Sequence, residues 1–170
     1  PRSPARGRPT SSARALKSAS TTRSKRTSAG ATATSSTRTS SIRPRGADAH
    51  SDGDVLLHAL SDALLSCFGL GDIGVLFPPS DPSFAGLDSR HIVQSVVEKV
   101  RGVEPGAAVV NVAAVVTLDA PKLGPLREQV SAAVAQLMAV PVADVGVTFK
   151  TSEGLAPDHV QASVTMLVRL

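Results

Sequence analysis

Within nine residues the chain presents His50, Ser51, Asp52, Asp54 and His58. A histidine, a hydroxyl and two carboxylates so close together can hold a divalent cation or a phosphate. The residues that follow decide where they sit. Val55, Leu56, Ala59, Leu60, Ala63 and Leu64 recur at helical spacing, which predicts a helix from Asp54 to about Phe68. Asp52 or Asp54 can cap its start, and Gly69 and Gly71 end it. The polar loop then lies at a helix N-terminus, which favours anions. His58 falls one turn inside, four residues before Asp62, so that this carboxylate can orient its imidazole. A capped helix with a partly buried histidine explains the same residues, and spacing alone puts that plainer reading ahead.

The elements around this run predict an α+β fold. Residues 72–87 carry Pro78, Pro79 and Pro82 with several Gly and Asp, and read as a loop. Asp88 and Ser89 open a second helix to about Arg101, with Ile92, Val93, Val96, Val97 and Val100 on one face. The β-branched, apolar run from Ala107 to Leu118 predicts a buried strand. A third helix is expected from Pro125 to Ala139, with Leu126, Val130, Ala133, Val134 and Leu137 inward. Strands over Val145–Thr151 and Val160–Leu170 complete a small mixed sheet covered on one side by helices.

Charge divides the chain. The 170 residues carry a net charge of +4, but residues 1–46 hold 11 of the 18 Lys and Arg and no acid. Residues 47–170 hold all 14 acids against seven Lys and Arg. The alkaline isoelectric point therefore describes the leader and does not make the domain a nucleic-acid binder. Residues 1–46 contain 19 Ser and Thr, with few large apolar side chains beyond Leu16 and Ile42. Such a segment cannot offset its own ordering entropy, and it reads as a disordered, basic, transit-peptide-like leader before a domain of residues 47–170. No apolar run has the length of a secretory signal or a membrane span. Neither a nucleic acid nor a membrane is an expected partner. With Trp and Tyr absent and four Phe, stacking platforms for single strands have almost nothing to be built from. Cys67, the single cysteine, sits among Leu64, Leu65 and Phe68 and reads as a small buried hydrophobe.

The string from His50 to Leu65, HSDGDVLLHALSDALL, closely resembles the signature of the 2-C-methyl-D-erythritol 2,4-cyclodiphosphate synthases. Gly71-Asp72-Ile73-Gly74, Phe77-Pro78, Asp81-Pro82, Asp88-Ser89-Arg90, Ala120-Pro121-Lys122-Leu123 and Lys150-Thr151-Ser152-Glu153-Gly154-Leu155 follow in that family's order. The resemblance covers about residues 49–170. It implies a homotrimer with active sites between subunits, a cytidine diphosphate-linked substrate, and two divalent ions, Zn²⁺ and Mg²⁺ or Mn²⁺. It further implies intramolecular attack of a 2-phosphate on the β-phosphorus, with CMP leaving. Carried onto this sequence, His58 matches a zinc ligand and Glu153 the ligand of the second metal. His50 and Thr151 match the two catalytic, transition-state-stabilising positions, with Ser51 beside the first. Asp72, Ile73 and Gly74 match contacts to the CDP part, and Phe77 and Asp81 belong to the same substrate loop. Ala120, Pro121 and Lys122 match the cytidine and phosphate pocket at the subunit boundary, and Thr151, Ser152 and Glu153 count among the substrate contacts. A eukaryotic source would place such an enzyme in a plastid, any other in the cytoplasm.

Taken singly, these residues have plainer readings: Asp72 as a turn residue, Lys122 as a solvated charge, Thr151 as a strand residue, Glu153 as surface charge. His91 and His159 match no role. The sequence also departs from the family. There, a first strand ends in an Asp-x-His pair that completes the zinc site; here the Ser/Thr/Arg run leads almost directly into His50. Ala156-Pro157-Asp158-His159 stands where the family has a longer Gly-rich stretch, Pro79 replaces an acid, and Lys150 stands where a hydroxyl residue is usual. Three readings account for these departures: a first strand missing from this sequence, favoured because its loss would leave a gap in the sheet; altered metal ligation; or a non-catalytic, nucleotide-binding trimer subunit. A weaker alternative makes the leader a nucleic-acid or anionic-membrane tether.

Overall fold

The first helix begins where an acidic cap allows it to. Asp54 accepts a hydrogen bond from Leu57 N–H at 3.0 Å, and α1 runs over Val55–Cys67. It ends at Gly69, whose φ of +66° suits a residue without Cβ, and Leu70 N–H closes the turn onto Leu65 O at 3.1 Å. The computed structural model describes residues 54–170 in full and residues 29–38 as backbone.

Seven further elements surround α1: β1 (Ala29–Arg38), α2 (Ile73–Leu76), α3 (Ser89–Val103), β2 (Ala108–Thr117), α4 (Arg127–Met138), β3 (Val145–Lys150) and β4 (His159–Arg169). The strands form one mixed sheet in the order β1-β4-β2-β3. β4 pairs antiparallel with both neighbours, and β2 runs parallel to β3. Parallel neighbours need a crossover, and α4 supplies it. A bulge between Val109 and Asn111 interrupts the β2–β4 register.

The core follows from the two periodicities. Along β4, Val160, Ala162, Val164, Met166 and Val168 are buried, while Gln161 and Leu167 between them are exposed. β2 contributes Val112, Ala114 and Val116, and β3 Val145 and Val147, to the same inner face. Onto it pack Leu60, Leu64 and Leu65 of α1, Val93, Val96 and Val100 of α3, and Val134 and Met138 of α4. The α+β reading, with helices on one side of a small mixed sheet, holds.

Three differences have physical causes. The loop expected over residues 72–87 contains α2 and a single 3-10 turn at Pro82–Phe84, each started by an aspartate cap too local to leave a periodic signal. The third helix starts as a 3-10 turn at Gly124–Leu126 before becoming α-helical. The third difference is β1, which lies inside the stretch expected to be a disordered leader. All ten of its residues pair with β4, from Ala29 opposite Val168 to Arg38 opposite His159. Its composition cannot build a core of its own, but a strand that joins an existing sheet does not have to. A Thr-rich strand added to a waiting sheet edge needs only backbone partners. The rest of the expected leader, residues 1–28 and 39–46, lies outside the described residues.

Candidate functional site

Two groups of candidate residues emerge, carried by different parts of the fold. The first surrounds His58. Its Nε2 lies 2.9 Å from Ser89 Oγ, the hydroxyl at the start of α3. Ser89 is wholly buried and His58 half-buried. Asp62 faces the next turn: its Oδ1 accepts the N–H of Ile73 at 2.9 Å and so fastens α2 to α1. The expected orienting role of Asp62 is therefore electrostatic at most, since its hydrogen bond goes to the α2 backbone. Burial pushes the Asp62 carboxyl above the usual carboxylate range, against the Ile73 N–H, with Asp72 adding to the rise and His58 opposing it.

The substrate-loop residues follow in sequence. Asp72 caps α2, accepting from Val75 N–H at 3.1 Å, and is exposed. Gly74 leaves room for this cap: a Cβ at its position would stand 3.1 Å from Asp72 Oδ1, so the carboxylate would have to shift by a few tenths of an ångström. Phe77 ends α2 and meets Phe84 edge-on at 5.3 Å between centroids, which braces the loop between them. Asp81 caps the 3-10 turn through Ser83 N–H at 2.9 Å. Asp88 caps α3 through Arg90 N–H at 2.8 Å and also holds the Arg90 guanidinium, whose hydrogen bonds bring its carboxyl down to about 2. His50 and Ser51 lie outside the described residues.

The second group lies where β2 and β3 end. An open pocket of about 500 Å³ is lined by Pro121, Lys122, Arg127, Lys150, Thr151 and Glu153, among others. Ala120 and Pro121 are joined by a cis peptide bond, and both are exposed. Thr151 Oγ1 donates to Glu153 Oε1 at 2.5 Å. Glu153 has a φ of +55°, uncommon for a residue with a side chain. Ser152 turns inward to Asp119, whose carboxylate takes both its N–H and its hydroxyl at 2.6 Å. Arg127 is anchored: it donates to Val147 O at 2.8 Å, and its guanidinium lies 5.8 Å from the Phe149 ring centroid. Three cationic side chains against one carboxylate make this pocket suited to phosphate.

Of the residues named from the sequence in separate motifs, Pro121, Lys122, Thr151 and Glu153 line this one pocket, while Ser152 is turned to Asp119 beside it. Sequence reasoning missed Asp119 and Arg127. Arg127 had the signal of a cation at a helix start, where a cation is electrostatically out of place. His58, Asp72 and Asp81 do not line the pocket. His58 lies in α1, which packs against β1 and β4, and Asp72 and Asp81 cap α2 and the 3-10 turn that follow, while the pocket belongs to β2 and β3.

A metal can be tested against the donors present. An imidazole held at one ring nitrogen by a buried hydroxyl has the outer-shell support of a ligating histidine, so His58 fits a cation site. Among the described residues no three His, Cys, Asp or Glu side chains converge. Zinc in a catalytic site takes three protein ligands, and among the described residues His58 is the donor with such support.

Comparison with known proteins identifies the family of the chain. The YgbB family model matches residues 39–169. A 2-C-methyl-D-erythritol 2,4-cyclodiphosphate synthase of Thermus thermophilus is 52% identical over 125 residues, covering 74% of this chain and 81% of that protein. The synthase of Deinococcus radiodurans is 57% identical over 103 residues, covering 61% of this chain and 63% of its own length. Among solved structures, a 2C-methyl-D-erythritol-2,4-cyclodiphosphate synthase in its CDP-bound form superposes with a TM-score of 0.75 at 43% identity, over 82% of this chain and 99% of that one. The family match begins at residue 39, inside the stretch that composition had assigned to the leader.

Proposed function

The chain belongs to the YgbB family, and from that membership we propose that it is a cyclodiphosphate synthase, converting 4-diphosphocytidyl-2-C-methyl-D-erythritol 2-phosphate to the cyclic diphosphate and CMP. The observation that carries the reading is the pocket at the end of β2 and β3, where Lys122, Thr151 and Glu153 meet beside the exposed Ala120–Pro121 segment.

The reaction needs no external nucleophile, since one phosphate of the substrate attacks another. The protein must fold the substrate back on itself and neutralise converging charge. Lys122 and Lys150 offer ammonium groups to phosphate oxygens, and Arg127 adds a fixed positive charge behind them. Thr151 holds its proton toward Glu153. Once that carboxylate is engaged elsewhere, the proton can turn to a phosphate oxygen and stabilise charge as the new P–O bond forms. His50, in the segment before α1, would serve the same end. Asp72, Ile73 and Gly74 would take the CDP part, with Phe77 and Asp81 shaping the loop around it. His58 and Glu153 would hold divalent ions, Zn²⁺ at the first and Mg²⁺ or Mn²⁺ at the second, which supply neutralisation of the diphosphate.

A homotrimer accounts for the separation of the two groups. β1 and β3 are opposite edges of the sheet, three strand spacings or roughly 14 Å apart. A neighbouring copy could bring its His58 group to the Thr151 group of this one. The sheet face away from the helices supports this, since Asn111, Ala113, Gly146, Thr148, Gln161 and Leu167 are exposed on it in the single chain. Placement in a plastid rests only on the acid-free composition before β1. Among the described residues no helix is long and apolar enough to cross a membrane.

The test is CMP release from the substrate by the full chain with Zn²⁺ and Mg²⁺, with His58→Ala inactive. A metal-loaded trimer that binds CDP and releases no CMP would instead support the non-catalytic subunit, which no observation now favours.

A further inference from the structure

Asp119 matches no assigned position, yet it makes the closest polar contacts between the two walls of the pocket. Its Oδ1 accepts the N–H of Ser152 and its Oδ2 the hydroxyl of the same residue, both at 2.6 Å, across 33 residues of sequence. The Ser152 oxygen is then aligned to accept the N–H of Ala156 at 2.9 Å, and Leu155 N–H closes onto Ser152 O at 3.1 Å. The turn so fastened is an awkward one. Glu153 and Gly154 adopt positive φ in succession, +55° and +79°, and Glu153 carries a side chain that disfavours this. Strain of this kind persists where neighbouring contacts over-determine it, and it gathers at functional sites. The strained turn carries Thr151 and Glu153. Asp119 itself immediately precedes Ala120 and Pro121.

We propose that Asp119 is a positioning residue: its carboxylate ties the turn carrying Thr151 and Glu153 to the segment carrying Pro121 and Lys122, and thereby sets the width of the pocket that receives a cytidine nucleotide. The inference rests on the reading of that pocket as the nucleotide site. A cap confined to its own turn would matter for stability alone. A strut between two walls also governs ligand affinity, because both walls must be held at the spacing the ligand spans.

Asp119→Ala removes both bonds, and Asp119→Asn keeps one acceptor oxygen for the Ser152 N–H while losing the charge. In the full chain, Asp119→Ala is expected to weaken CDP binding about tenfold by calorimetry, with Asp119→Asn between it and the parent, the scale on which one charge-assisted contact acts. Amide exchange at Gly154, Leu155 and Ala156 is expected to accelerate in the same order. CDP affinity within twofold of the parent in Asp119→Ala, despite faster exchange, makes Asp119 a turn cap and overturns the proposal. Unchanged exchange in both variants overturns it as well. Should Asp119→Ala fail to fold, Asp119→Asn decides on the same two readouts. If the parent protein binds no CDP, the nucleotide reading fails, and with it the stated purpose of the strut; the exchange data still show whether the strut exists.

Discussion

Replacing Ser89 with alanine separates packing from chemistry at His58. Ser89 is fully buried, and its hydroxyl is 2.9 Å from Nε2 of a half-buried ring. Losing a neutral hydrogen bond costs ~1 kcal/mol net, and leaving a partner unsatisfied in the interior raises that to about 3 kcal/mol. Because His58 is only half-buried, water can reach part of the ring, so the expected loss is about 1 to 2 kcal/mol. For a domain of this size that is a fall of roughly 3–8 °C in Tm. Denaturant unfolding in the presence of a chelator measures this term without any cation. A second measurement tests the chemistry. If the hydroxyl fixes the ring for a ligand, its removal should weaken divalent-cation binding about 10- to 100-fold. The double-mutant cycle with His58→Ala should show a coupling above about 0.5 kcal/mol. Additive effects within that margin would mean that the 2.9 Å contact does not orient the ring, and the reasoning would fail.

Asp62→Asn should stabilise the chelated protein at neutral pH, because burial holds this carboxyl above its usual range while the Ile73 N–H needs only an oxygen acceptor. With a raised folded pKa the penalty is absent below the unfolded value near 3.8 and grows as pH rises through the folded one. The gain should therefore vanish in acid, and a gain independent of pH would refute this account. Asp88 has the opposite sign: its carboxyl lies at about 2, so the stability it supplies is present above the unfolded value of 3.8 and is lost as pH falls from there toward 2. Its side chain is 34% exposed, which holds the effect to about 1 kcal/mol or less; acid titration of unfolding in Asp88→Asn should be flatter over that window while the helix cap survives. Leu60→Ala, at a position with no exposed surface between α1 and the sheet, should cost about 2–5 kcal/mol in denaturant unfolding. A loss under about 1 kcal/mol would mean that the helix does not pack as described.

What the sequence made legible depended on how far each signal reaches. Helices α1 and α3 announce themselves through side chains four residues apart, and their ends through aspartate caps that the structure uses: Asp54 for α1 and Asp88 for α3. The buried strands announce themselves through β-branched runs. The pocket residues came from matching ordered motifs. Their meeting depends on β2 and β3 lying parallel, which brings Pro121 and Thr151 to one end of the sheet. Asp119 was missed because nothing local marks it. Its partners lie 33 residues away, and an aspartate before Ala-Pro reads as a turn residue until the second wall is in place.

β1 shows the same limit from the other side, and it changes how the missing metal ligands must be understood. The family's first strand ends in an Asp-x-His pair, and its loss was expected to leave a gap in the sheet. The sheet has no such gap: Ala29–Arg38 completes its β4 edge through backbone pairing, with the sequence AGATATSSTR. That sequence contains neither Asp nor His. Backbone pairing and metal ligation are thus separate demands on one strand, and this chain meets the first without the second. A cation held by His58 would draw a further ligand from the segment between β1 and α1, where Asp48, His50 and Asp52 lie. If alanine at Asp48, His50 and Asp52 together leaves the cation affinity of the folded protein unchanged, that segment is excluded as the source, and a ligand from another copy of the chain becomes the reading to test.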